Sequence, residues 1–183
     1  MLAHIPRDSV FRLHLVGMPG AGKTTLGRAL AVRFELPFRD LDEEIVRRSG
    51  QTVPELFEQR GEAGFRELEA QVLRAVVAEQ PRMVLATGGG TPCFAQNADF
   101  LNQTGLTLWL DVPVEELVRR LMAGAQQRPL LASLPSPAAL ELRLCATIEA
   151  RRQFYAAAKL RCTAAGCTPE AVAALIGRYR TTG

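Results

Sequence analysis

This 183-residue sequence predicts an α/β fold of three layers around a central five-stranded parallel sheet. Strand-like and helix-like patterns alternate to the end of the chain, which points to a parallel sheet covered on both faces. The first strand breaks into a glycine-rich run, residues 17–24, and an amphipathic helix follows it directly. That run, the carboxylates of Asp40 and Asp42, and Gly88-Gly89-Gly90 all fall at the carboxyl ends of strands, where open parallel sheets hold their ligands.

In chain order, residues 13–16 form the first strand, with His14 between Leu13 and Leu15 and therefore packed or pointed at a covering helix. Residues 17–24, Gly-Met-Pro-Gly-Ala-Gly-Lys-Thr, match G-x-x-x-x-G-K-[ST], the strand-to-helix loop that cradles nucleotide phosphates. Phosphate oxygens must lie against backbone N–H groups, and only a chain bare of side chains lets them approach. The following helix adds partial positive charge at its N-terminus. Lys23 can reach the β- and γ-phosphates, and the Thr24 hydroxyl can ligate Mg²⁺. Leu26, Leu30 and Phe34 mark the inner face of that helix. Residues 37–42 read as a short second strand ending in carboxylates, and residues 43–48 as a short helix stopped by Gly50. Thr52-Val53-Pro54-Glu55 is a capping box opening a helix that closes at Gly61. A longer helix over 62–80 carries Phe65, Leu68, Val72 and Val76 on one face. Residues 83–86 make the third strand, 93–101 a short helix, and 106–110 the fourth strand, ending at Asp111. Pro113 opens the next helix, a loop spans 124–137, and a helix runs from Ser136 to about Ala158. A weak strand over 159–163 and a last helix, capped by Thr168-Pro169-Glu170 and ending near Tyr179, complete the alternation.

Composition narrows the function classes. The balance of 22 Lys+Arg against 19 Asp+Glu, a net +3, is too slight to argue for nucleic acid, and no apolar run approaches the ~20 residues that span a membrane. Residues 1–8 lack the apolar core of a signal peptide, so a cytoplasmic protein is expected. The four cysteines, Cys93, Cys145, Cys162 and Cys167, show no C-x-x-C spacing and read as free thiols.

Several constellations each have two readings. Asp40 and Asp42, as alternate residues on a strand, can both face the cleft, one holding Mg²⁺ through water and the other orienting an acceptor hydroxyl or taking its proton. They equally fit helix capping ahead of Glu43-Glu44. Arg66 and Glu69, three apart on a helix, can form an oriented pair or a solvated surface pair. Arg151 falls on the stripe Leu144, Ile148, Arg151, Tyr155, and an inward arginine calls for an anion such as a carboxylate. The triple glycine suits a backbone that approaches a ligand. Arg128, inside the 124–137 loop, can deliver a cation to a phosphoryl group, or simply sit on a surface loop. Asp111 is a weaker candidate than Asp40 for Mg²⁺.

Together these residues resemble the shikimate kinase family, of the nucleoside-monophosphate-kinase-like branch of P-loop proteins. The likeness covers residues 11–179 and rests on six motifs in the family's order: residues 17–24; Asp40-Leu41-Asp42; Gly64-Phe65-Arg66-Glu67-Leu68-Glu69; Ala86-Thr87-Gly88-Gly89-Gly90; Arg128-Pro129-Leu130-Leu131; and Arg151-Arg152-Gln153-Phe154-Tyr155. The resemblance implies a three-layer P-loop NTPase fold in one domain, with a small substrate-binding subdomain over 36–60 and a mobile lid over 124–137. It implies transfer of the γ-phosphate of ATP to the 3-hydroxyl of shikimate, in aromatic amino acid (chorismate) biosynthesis, with Mg²⁺ as cofactor. Asp42 would bind the ring hydroxyls and serve as base, Arg66 and Arg151 would clamp the carboxylate, and Gly89 would touch a hydroxyl through its backbone. Gly20, Ala21, Gly22, Lys23, Thr24, Thr25, Arg120 and Arg128 would meet the nucleotide. Lys23 and Arg128 would also neutralise charge on the transferring group, and Thr24 and Asp40 would place Mg²⁺. Arg119 competes with Arg120 for the adenine position. A monomer is expected, with no nucleic-acid or membrane partner. Pro92, Gln153 and the loop over 164–168 depart from the family pattern, and the last puts adenine contacts there in doubt. The rival readings are a kinase for another hydroxy acid such as gluconate, and a non-catalytic kinase-like module that senses an aromatic acid.

Overall fold

A computed structural model of the protein describes residues 9–125, 136–163 and 166–182. Its sheet holds five strands, β1 (Phe11–Val16), β2 (Phe38–Asp40), β3 (Arg82–Ala86), β4 (Leu106–Asp111) and β5 (Leu160–Thr163). They run parallel in the order β2-β3-β1-β4-β5. The chain leaves β1 towards one edge and returns past it to the other, so a crevice opens at the carboxyl end of β1. Leu13, Leu15, Leu85 and Leu108 on the inner strands are wholly buried, as strands covered on both faces require.

The helices are α1 (Lys23–Phe34), α2 (Leu41–Ser49), α3 (Val53–Glu79), α4 (Asn97–Thr104), α5 (Val114–Ala125), α6 (Pro137–Ala156) and α7 (Pro169–Thr182). Helix α1 buries Leu26, Leu30 and Phe34, the stripe expected of it. Thr52 and Glu55 form the capping box of α3. The two helices expected on either side of Gly61 are continuous except at that glycine, whose φ of 65° and ψ of −179° break the helical path. His14 is fully buried and bonds the Leu101 carbonyl of α4 through Nδ1 at 3.0 Å; burial pulls its pKa down to about 4, so it packs as a neutral ring.

Three local expectations need correction. The second strand stops at Asp40, and Asp42 lies in the first turn of α2, because the Asp40 side chain accepts the Asp42 N–H and caps that helix. The helix expected over 93–101 is instead a short 3-10 turn, Thr91–Cys93, followed by α4. Cys162 and Cys167 are joined in a disulfide, while Cys93 and Cys145 are free. Cys162 on β5 and Cys167 just before α7, two cysteines without a recognisable spacing, lie at a Cα–Cα distance of 5.3 Å.

Candidate functional site

The glycine-rich loop leaves β1 and enters α1 through Gly22, whose φ of 94° favours a residue without Cβ. Behind it, Lys23 is only 8% exposed, and its ammonium donates to the carbonyls of Gly17 (2.8 Å) and Met18 (2.9 Å). Burial lowers its pKa to about 8, against the opposing pull of Asp42 and Asp40. The loop forms one wall of a cleft of about 880 Å³. Gly20, Ala21, Gly22, Thr24 and Thr25 line it with Asp40, Asp42, Gly88, Gly89 and Arg120.

Asp40 ties the two sides together. One of its oxygens caps α2, and the other accepts the Thr24 hydroxyl at 2.8 Å. A hydroxyl and a carboxylate oxygen side by side under the phosphate loop form the donor set that suits Mg²⁺, which takes few protein ligands and keeps phosphate and water for the rest. Asp111 is occupied elsewhere: Arg161 Nε donates to its Oδ2 at 2.9 Å. Capping and cleft-facing roles for the Asp40/Asp42 pair therefore coexist.

Asp42 lines the cleft and stays exposed to solvent there, although the protein beside it desolvates the carboxyl in part. That partial desolvation, reinforced by the nearby charges of Asp40 and Glu69, raises its pKa to about 6, although Lys23 and Arg66 pull the other way. A methyl group on Gly88 would stand 3.3 Å from Asp42 Oδ1 and 3.1 Å from Glu69 Oε1, so Asp42 and Glu69 meet over this glycine.

Arg66 and Glu69 are not the solvated pair that their spacing also allows. Glu69 is 1% exposed and accepts Arg66 Nη1 at 2.9 Å, while Glu62 adds a longer contact of 3.5 Å. The guanidinium lies near the rings of Phe94 (4.5 Å), Phe65 (5.2 Å) and Phe57 (5.9 Å). A methyl on Gly90 would come within 2.6 Å of Arg66 Nη2. The triple glycine thus admits protein side chains, and packing is part of its use.

Arg151 is half-buried on α6, with its charge acting on the Tyr155 hydroxyl, which donates to the Gly89 carbonyl at 2.6 Å. Its charge reaches both Lys23 and Cys93, and Cys93 also feels Arg66, so the two guanidinium groups bracket one neighbourhood. They adjoin the cleft at its triple-glycine end and do not line it. Arg120 rather than Arg119 reaches the loop: its Nη1 donates to the Ala21 carbonyl at 3.0 Å, whereas Arg119 pairs with Glu116 with its side chain 70% exposed. Arg128 and most of the expected 124–137 lid lie outside the described residues. Among those described, Tyr155, Thr91 and Phe94 belong to the site without having been singled out for it; only Tyr155 had a signal, its place one turn after Arg151.

A family model described as shikimate kinase matches residues 19–179. The shikimate kinase of Phocaeicola vulgatus is 47% identical over 148 residues, 81% of this chain and 83% of that protein. Among solved structures, the shikimate kinase of Bacteroides thetaiotaomicron is similar with a TM-score of 0.84 and 40% identity, covering 93% of this chain and 98% of that one. The Acinetobacter baumannii enzyme, solved in complex with shikimate, is similar with a TM-score of 0.79 and 34% identity, covering 96% and 95% of the two chains.

Proposed function

The chain belongs to the shikimate kinase family and phosphorylates shikimate with ATP, and on that premise we propose which of its residues do so and at which hydroxyl. The acceptor is the 3-hydroxyl. Asp42 orients it and takes its proton; a carboxyl poised near pH 6 is ionised at neutral pH yet basic enough to share a proton with an alcohol in the transition state. Arg66 and Arg151 hold the substrate carboxylate, and the Gly89 backbone, packed against Pro19 of the phosphate loop, touches a substrate hydroxyl. Lys23 and the loop N–H groups receive the β- and γ-phosphates, and Arg120 flanks the nucleotide. Arg128 would complete the charge around the transferring group. Thr24 and Asp40 fit Mg²⁺ by donor type and proximity; when bound, the ion would neutralise phosphate charge. A monomer in the cytoplasm is the form we expect, and no described helix is long and apolar enough to cross a membrane.

The observation that carries this reading is the meeting of Asp42 and Glu69, the partner of Arg66, over Gly88 at the end of the phosphate-loop cleft. An acid beside a phosphate donor and an arginine for a carboxylate define a hydroxy-acid acceptor. A sensing module has no need for a base of raised pKa beside Lys23. Steady-state kinetics of Arg66→Ala and Arg151→Ala test the clamp: KM for shikimate should rise by about tenfold or more, with KM for ATP within about twofold. Equal effects on both substrates would remove the clamp from the account.

A further inference from the structure

Glu69 is 1% exposed, and a carboxyl group so buried needs a partner at each oxygen. Oε2 takes Arg66 Nη1 at 2.9 Å. Oε1 takes the hydroxyl of Thr91 at 2.7 Å, and Thr91 is itself wholly buried. Thr91 in turn is held by the chain beyond it. Its carbonyl accepts Asn97 Nδ2 at 3.0 Å, and Asn97 Oδ1 accepts Arg74 Nη1 at 3.0 Å. Arg74 also donates to the Ala95 carbonyl, so α3 grips the segment from the 3-10 turn to α4 at two points, Glu69 and Arg74.

We propose that Thr91 is a positioning residue for substrate binding: by occupying Glu69 Oε1 it limits Glu69 to one oxygen on Arg66, leaving guanidinium N–H groups for the substrate carboxylate. This rests on Arg66 serving as the carboxylate clamp. The physical basis is competition. A guanidinium and a carboxylate pair most strongly when two parallel N–H groups meet both oxygens. Without the Thr91 hydroxyl, Oε1 would have no donor in a place water hardly reaches, and turning onto Arg66 would be its remedy. Glu69 would then compete with the substrate for the same fork. The phosphate loop, Lys23 and the Thr24–Asp40 pair lie outside this chain of bonds, so nucleotide binding should not respond.

Variants at Thr91 and Arg66, assayed by ADP release with shikimate and ATP varied in turn, test the assignment. Thr91→Val keeps shape and removes the hydroxyl; it should raise KM for shikimate about tenfold while kcat and KM for ATP stay within about twofold. Thr91→Ser restores a hydroxyl and should return KM for shikimate to within about threefold of the parent. A purely structural hydroxyl would instead lower kcat or raise both KM values together, and that result overturns the proposal, as does an unchanged KM in Thr91→Val. Should Thr91→Val fail to fold, Thr91→Cys, with its weak S–H donor, carries the same expectation. Arg66→Ala separates the two levels. If it leaves KM for shikimate unchanged, the clamp itself falls; if it raises that KM while Thr91→Val is silent, only the role of Thr91 falls.

Discussion

Asp42 makes the acid limb of the pH profile a direct probe of the chemistry. With a pKa of about 6 it is about 90% ionised at pH 7 and about 9% at pH 5, so kcat/KM should fall roughly tenfold between them. On the other side, Lys23 at about 8 in the free enzyme should give a falling limb above that pH. Asp42→Asn should lower kcat by about 100-fold or more and remove the acid limb from what remains. The same shift predicts a stability effect of opposite sign. A carboxyl whose folded pKa lies above its ordinary 3.8 favours the folded state below that value, and this contribution is lost as pH rises through about 6. Asp42→Asn should therefore stabilise the protein at pH 8 and not at pH 3.5. Because the cleft admits water, the full shift is discounted to about 1 kcal/mol, or about 2–4 °C in Tm for a chain of this size. Rate profiles at saturating ATP and scanning calorimetry at the two pH values read both effects. A profile flat from pH 7 to 5, with Asp42→Asn near normal in rate, would refute the assignment of Asp42 as base and leave it only a place in the first turn of α2.

Two further outcomes follow from the packing. Gly90→Ala places a methyl 2.6 Å from Arg66 Nη2 and should raise KM for shikimate by about tenfold, with KM for ATP nearly unchanged; an unaltered KM would show that Arg66 can shift without loss. Thiol titration of the unfolded, unreduced protein should find Cys93 and Cys145 alone, and four reactive thiols would contradict the Cys162–Cys167 bond.

What could be read in advance was what depends on local pattern. Alternating periodicity located the five strands, and residues 17–24 announced a phosphate loop because the backbone itself does the binding there. The side chains of Asp40, Arg66 and Arg151 were recognisable as candidates, but their roles were not, since surface pairs and caps share the same spacings. Burial of Glu69 separates an oriented pair from a solvated surface pair, and burial is a tertiary property. Asp42 reads as a strand residue, whereas Asp40 caps a helix that begins two residues earlier than the apolar pattern suggests. Thr91 and Phe94 carry no such signal for another reason: Thr91 reaches Glu69, and Phe94 reaches Arg66, across gaps of more than 20 residues, which no local periodicity encodes. The Cys162–Cys167 pair likewise follows no cysteine motif that spacing alone would reveal.

A coupled assay of ADP release, run side by side with shikimate, gluconate and nucleoside monophosphates as acceptors, bears most directly on the cleft as a hydroxy-acid kinase site. Rapid, shikimate-dependent turnover with little from the others is the expected result. ADP release that ignores shikimate, or that prefers gluconate or a nucleotide, would contradict the pairing of Asp42 with the Arg66–Glu69 clamp on which the account stands.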